Sequence, residues 1–208
     1  MKGNLLLLLS LLCGIGLGAA DATLGECIRH YALPTCLLAL LVLQVGIGLG
    51  SNGDLGALLR SFRWQMLLLP VFTIVGTLSF TALAALFFRD WSVGDILAMG
   101  SGFGYYSLSS VMIADLKSAT AGAEVATQLA AVALMANMVR EVVALFGSSF
   151  FNGKGGRFAP ISVAGINSMD VCLPTILRTT GDKGLLPLAV IHGIVLEISV
   201  PLLITLFC

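Results

Sequence analysis

Charge is what this chain has least of. Lys and Arg number 11 and Asp and Glu 11 among 208 residues, so 11% of positions are charged, against roughly 25% in a soluble domain. Hydrophobic residues make up 58% and mean hydropathy is +1.01, which excludes a water-soluble globule of ordinary composition. Net charge is zero and no basic cluster occurs, so neither nucleic acid nor a polybasic lipid patch is an expected partner. The five cysteines, Cys13, Cys27, Cys36, Cys172 and Cys208, are odd in number and widely spaced. Without CxxC spacing they read as free thiols acting as small hydrophobes, with no disulfide framework and no metal site. HExxH, GxGD and GxSxG are all missing, which argues against an intramembrane enzyme. No cofactor is expected either. Gly48 to Gly53 matches GxGxxG, but the run before it is too long for a Rossmann strand and no acid follows near 20 positions on, so it reads as a turn.

What the chain does have is long apolar runs. A helix needs about 20 apolar residues to cross a bilayer, and there is room for six or seven such segments. Open sheets are excluded in lipid, and the runs do not alternate as barrel strands must. The expected fold is an all-α polytopic membrane bundle, a single domain over residues 1–208 with the lipid bilayer as its surroundings. Residues 1–32 read as a first helix plus a polar connection, with a signal segment as the alternative for 1–22, and residues 33–208 as the core. A second helix opens at Pro34 and runs to about Gly50, and Asp54 to Arg63 reads as a short surface helix. Spans over Met66 to Phe88 and Leu185 to Phe207 are also expected. If each segment crosses once, Lys117 and Lys183 share one side, with Arg89, Lys154 and Arg157 on the other.

The run from Leu129 to Gly147 is distinctive, because Asn137, Arg140 and Glu141 stand near its middle. An ionised group at the bilayer centre costs at least ~2.5–3.5 kcal/mol on insertion scales, so such residues face a partner, a cavity or a substrate path. As a helix, Gly122, Ala126, Ala130, Ala133, Asn137, Glu141, Ala144 and Ser148 form one stripe, small throughout except for its two larger polar groups. Arg140 and Glu141 point about 100° apart and cannot simply neutralise one another.

Two stretches resist a continuous helix. Gly100 to Ser110 packs three glycines into five residues beside Tyr105, Ser107 and Ser109, and Asp115 and Lys117 mark an expected return to water. Pro160 to Pro174 holds Gly165, Asn167 and Asp170 and follows a Gly-rich basic loop expected over Asn152 to Arg157. Pro174 should leave the Asp170 carbonyl without its helix donor. Each broken segment leads through a polar turn into a long helix bearing an ionisable group, a repeat-like order that points to a transporter's midplane site. Asp170 and Glu141 are the leading substrate or proton sites, with Asn137, Arg140, Asn167, Ser107 and Ser109 as further binding residues beside them. Half-helix N-termini near Ser107 or Asp170 suit a carboxylate. Glu197, His192 and Tyr105 are weaker candidates.

The Gly100 to Ser110 segment, the Arg140-Glu141 pair and the Gly165 to Pro174 segment together resemble the LysO-type lysine exporter family over about residues 35 to 205. The resemblance implies a multi-pass exporter of the bacterial inner membrane for L-lysine and its analogue thialysine, with Glu141 and Asp170 as the intramembrane acidic pair. Two acids and a helix N-terminus complement lysine, a cationic amino acid with two ammonium groups and one carboxylate. Exporting it against an inside-negative potential is uphill by ~2.3 kcal/mol per charge per 100 mV, so antiport of protons is expected. Longer members carry an extra hydrophobic N-terminal section, and a homo-oligomer or a small partner membrane subunit is the expected complement here. The competing readings are a cation or proton transporter or channel using the same acids, and a non-catalytic membrane subunit that needs a partner.

Overall fold

The computed structural model describes residues 13, 16, 17, 62–88 and 91–208. The first two expected helices and the surface helix over Asp54 to Arg63 lie almost wholly outside them. Among the described residues there is no strand, and three helical stretches are long and apolar enough to cross a membrane: Trp64–Phe87, Ala123–Gly155 and Lys183–Phe207.

The first is α1 (Leu68–Ala84), extended by single 3-10 turns, Trp64–Leu67 and Ala85–Phe87. It buries Pro70 and Thr73 and leaves Phe72, Phe80, Leu83 and Phe87 exposed, as suits a helix between the bundle and lipid. Then come α2 (Val93–Gly100) and α3 (Tyr106–Ala121), separated by a turn over residues 101–104. Helix α2 starts cleanly because Ser92 and Asp95 form a reciprocal capping box, each side chain satisfying the other's orphan amide.

Lys117 Nζ, near the end of α3, lies 2.6 Å from Asp95 Oδ1 in the first turn of α2. The chain therefore returns to the end at which it entered, and α2 and α3 form a re-entrant hairpin. Lys117 is consequently not a marker of open water: it is buried against Asp95. Gly122 then turns the chain into α4 (Ala123–Gly155), whose 33 residues span about 50 Å. The buried residues of α4 are Ala126, Leu129, Ala130, Ala133, Asn137, Glu141, Ala144 and Ser148. Seven of the eight stripe positions are thus buried, and Gly122 is instead the exposed helix cap. The basic loop expected from Asn152 does not begin there. Helix continues to Gly155, with the Asn152 amide donating to the Thr179 carbonyl at 3.0 Å.

A second hairpin follows. Helix α5 (Ala159–Ala164) runs into a 3-10 turn, Gly165–Met169, and α6 (Leu173–Thr180) runs back. Ser148 and Asn152 of α4 bond Thr179, and Arg157 pairs with Asp182 at 3.3 Å, so this hairpin enters and leaves at the C-terminal end of α4. Helix α7 (Leu186–Phe207) begins there and ends beside α2, where a Cβ on Gly94 would stand 3.0 Å from the Phe207 carbonyl. Among the described residues the order is helix, hairpin, helix, opposed hairpin, helix. Because α4 crosses and the second interrupted segment turns back, Lys117 and Lys183 stand at opposite ends, not on one side as single crossings would require.

Candidate functional site at the meeting of two hairpin tips

The tips meet beside the middle of α4. The Ile166 amide donates to the Phe103 carbonyl at 3.0 Å. Phe103 is fully buried with φ +44°, a conformation rare for a bulky side chain. Asn137 holds the first tip: its Oδ1 accepts from the Gly104 amide at 2.8 Å, and its Nδ2 donates to the Ala133 carbonyl at 2.8 Å and the Met99 carbonyl at 3.3 Å. Ser109 Oγ lies 3.5 Å from the same nitrogen. An amide with two donors and two lone pairs is the right group to satisfy a helix broken at membrane depth.

Arg140 and Glu141 take separate partners. Arg140 Nε donates to the Val163 carbonyl and Nη2 to the Ser162 carbonyl, both at 3.0 Å, and the guanidinium lies 5.9 Å from the Phe103 ring centre. It caps the last turn of α5, where orphan carbonyls and the negative end of the helix dipole gather. Among the described residues no carboxylate lies within ion-pair distance of it. Glu141, one position on, is buried on another face, where its Oε2 accepts from Asn167 Nδ2 at 3.2 Å.

Asp170 follows the second tip and remains accessible. Its Oδ1 accepts from the Val171 amide at 2.5 Å. Its carbonyl is not left free by Pro174, because the Leu173 amide supplies a tight turn at 3.2 Å. The field of Asp170 reaches Glu141, Glu197, Tyr105 and Tyr106; Glu197 also acts on Tyr105, and Glu141 on Tyr106. Three carboxyls from α4, the second tip and α7 thus share a region with two phenols at the start of α3. Ser107 lies half-buried in the first turn of α3, one residue beyond Tyr106.

His192 is fully buried in a different setting. Its Nδ1 lies 3.2 Å from Ser168 Oγ and its Nε2 3.0 Å from Thr73 Oγ1, which in turn lies 2.7 Å from Ser162 Oγ. His192 was a candidate from sequence, but its hydroxyl partners were not, although Thr73, Thr77 and Thr81 recur at steps of four on α1, a signal for interhelical bonding. Tyr106 also joins the region without having been singled out. On the α1 side of Arg140 lies an open apolar cleft of about 810 Å³, lined among others by Phe72, Thr77, Phe80, Met99 and Val132. The acids do not line it.

These features define a polytopic helical membrane protein with two opposed re-entrant hairpins meeting over a cluster of intramembrane acids. The family model described as lysine exporter LysO matches residues 8–208, and the chain belongs to that family. It is 30% identical over 204 residues to the protein named lysine exporter LysO of Escherichia coli strain K12, covering 94% of this chain and 62% of that one. It is 28% identical over 172 residues to a putative lysine exporter of Haemophilus influenzae, covering 82% of each. No solved structure matches. The chain is a multi-pass protein of the bacterial inner membrane.

Proposed function

We propose that the chain exports L-lysine, and analogues such as thialysine, from the cytoplasm, and that protons moving inward on the acidic cluster drive it. The observation that supports this reading is the convergence of Glu141, Asp170 and Glu197 on the tyrosines at the hairpin junction. Lysine's two ammonium groups meet the carboxyls, with Asp170 the accessible one and Glu141 held ready by Asn167. The carboxylate of lysine faces the first turn of α3 at Ser107, the positive end of a half-helix. Asn137, with Ser109, keeps the first tip in place, and Arg140 keeps the second, so both act on the site from behind it. A lysine leaving an inside-negative cell must be exchanged for positive charge entering, and a carboxyl that alternates between ammonium and proton provides that exchange.

The cytoplasmic end in this reading is the one at the C-terminus of α4. Among the described residues, exposed Arg63, Lys154, Arg178 and Lys183 gather there with Arg157, which pairs with Asp182, whereas the other end exposes Asp115 and Glu124 and its Lys117 is ion-paired. The second hairpin then enters from the cytoplasm and the first from outside. We further propose that the chain works together with a second copy of itself or with a small membrane subunit.

The test is counterflow of labelled L-lysine in proteoliposomes holding this chain, beside Asp170→Asn, at two pH values. Accumulation that depends on pH, resists competition by arginine and disappears in Asp170→Asn is expected. Wild-type accumulation in Asp170→Asn would sink the mechanism, and ion flux without lysine would favour a cation transporter.

A further inference from the structure

The 3-10 turn Gly165–Met169 carries the residue that holds Glu141, and something must fix the rotation of that turn. Successive residues of a 3-10 helix point about 120° apart. Asn167 accordingly faces α4, where it donates to Glu141, while Ser168 faces α7. On α7 the turn is seated at three successive points. Ser168 Oγ donates to the Ala189 carbonyl at 2.9 Å and lies 3.2 Å from His192 Nδ1. Gly193 lets the backbones close, since a Cβ there would stand 2.9 Å from the Ile166 carbonyl oxygen. Both Ser168 and His192 are fully buried, so no water competes for these bonds. His192 in turn is braced from behind by Thr73 of α1 at 3.0 Å.

We infer that His192 is a positioning residue: through Ser168 it sets the angle of the second tip so that Asn167 meets Glu141. It does not itself meet lysine or carry the proton. The inference rests on the exporter reading for its purpose and on the hydrogen-bond geometry for its content. An amide donor favours the ionised form of the carboxyl it holds. Loss of the Ser168 contact therefore loosens Asn167 and leaves Glu141 protonated more of the time. Loss of the Thr73 contact leaves the tip where it is.

The two ring contacts can be separated. Asn at 192 places its amide where Nδ1 stood and keeps the Ser168 bond, while Gln reaches the position of Nε2 and keeps the Thr73 bond. Each loses one contact and is similar in size, so a purely structural histidine makes the two variants alike. The measurement is the rate at which dicyclohexylcarbodiimide, which attacks protonated carboxyls in membranes, labels Glu141, read by mass spectrometry on the full chain with and without L-lysine. His192→Gln and Ser168→Ala are expected to label about tenfold faster than wild type, the factor associated with one hydrogen bond to a charged group. His192→Asn restores the wild-type rate and Thr73→Val keeps it. Equal rates in His192→Asn and His192→Gln, or an unchanged rate in Ser168→Ala, would overturn the inference. Failure of lysine to protect wild-type Glu141 would instead count against lysine as the substrate, while the comparison among variants would still decide the role of His192.

Discussion

The Ile166 amide donates to the Phe103 carbonyl at 3.0 Å, and this one bond joins hairpins that enter the bundle from opposite ends. The residue before it, Gly165, has φ +64°, and a Cβ there would run into the Phe103 carbonyl oxygen. Gly165→Ala therefore combines an unfavourable backbone conformation with a backbone clash. A loss of about 2–4 kcal/mol in detergent-solubilised stability is expected, together with loss of lysine counterflow. Gly153→Ala is the control. It sits in exposed helix with nothing within 4 Å of the added Cβ, and should stabilise by up to about 1 kcal/mol. Equal melting temperatures for the two variants would show that the tips are free to separate.

Arg140 divides its donors between the Val163 and Ser162 carbonyls, so its planar fork matters as well as its charge. Arg140→Lys keeps the charge but offers a point donor in place of the fork, and Arg140→Met removes both. Stability should fall in the order Arg, Lys, Met, with Arg140→Met costing about 2–3 kcal/mol because the last turn of α5 loses its cap. Calorimetry in detergent reads this directly. If Arg140→Met melts as wild type while lysine binding disappears, the guanidinium belongs to the substrate site and not to the cap.

How much of this was legible beforehand follows from what each residue depends on. The α4 stripe was readable because a membrane helix packs by small residues at fixed spacing, and Ala126, Ala133, Asn137, Glu141 and Ala144 obey that spacing. The two breaks were readable from Gly100 to Gly104 and from Gly165 to Pro174. Whether the chain crosses or turns back at a break is a matter of tertiary contact, fixed here by Asp95 with Lys117 and by Ser148 with Thr179. Neither pair shares a local pattern. The same holds for the partners of Arg140, since carbonyls bear no signature in sequence, and for His192, whose role depends on hydroxyls 24 and 119 positions away.

Re-entrance makes a prediction about sidedness. Ser118 lies exposed near the end of α3, and Lys183 lies exposed at the start of the α7 span. Single cysteines at these positions, Ser118→Cys and Lys183→Cys in a background with the five native cysteines replaced, should react with an impermeant maleimide from opposite faces of the membrane. In the orientation proposed above, the Lys183 position should react from the cytoplasmic face. Labelling of both from one face would mean that the second broken segment crosses and does not return.

The base of the first hairpin should loosen in acid. Asp95 and Lys117 form a mostly buried pair, with side chains 14% and 11% exposed, at the end of the bundle and outside the three long apolar helices. Burial alone would raise the Asp95 carboxyl. Hydrogen bonds from Lys117 and Ser92, together with the Lys117 charge, outweigh it and hold the carboxyl below its usual value. A carboxyl depressed in the folded state contributes stability that is complete above its unfolded value and lost as pH falls through the folded one. The melting temperature of the wild-type protein should therefore drop as pH is lowered past the ordinary aspartate range, and Asp95→Asn should flatten that drop. Asp95→Asn and Lys117→Met should each destabilise at neutral pH, because each leaves a mostly buried charge without its partner. Equal acid sensitivity in wild type and Asp95→Asn would place the titrating group elsewhere and remove this pair as the clamp that closes the hairpin.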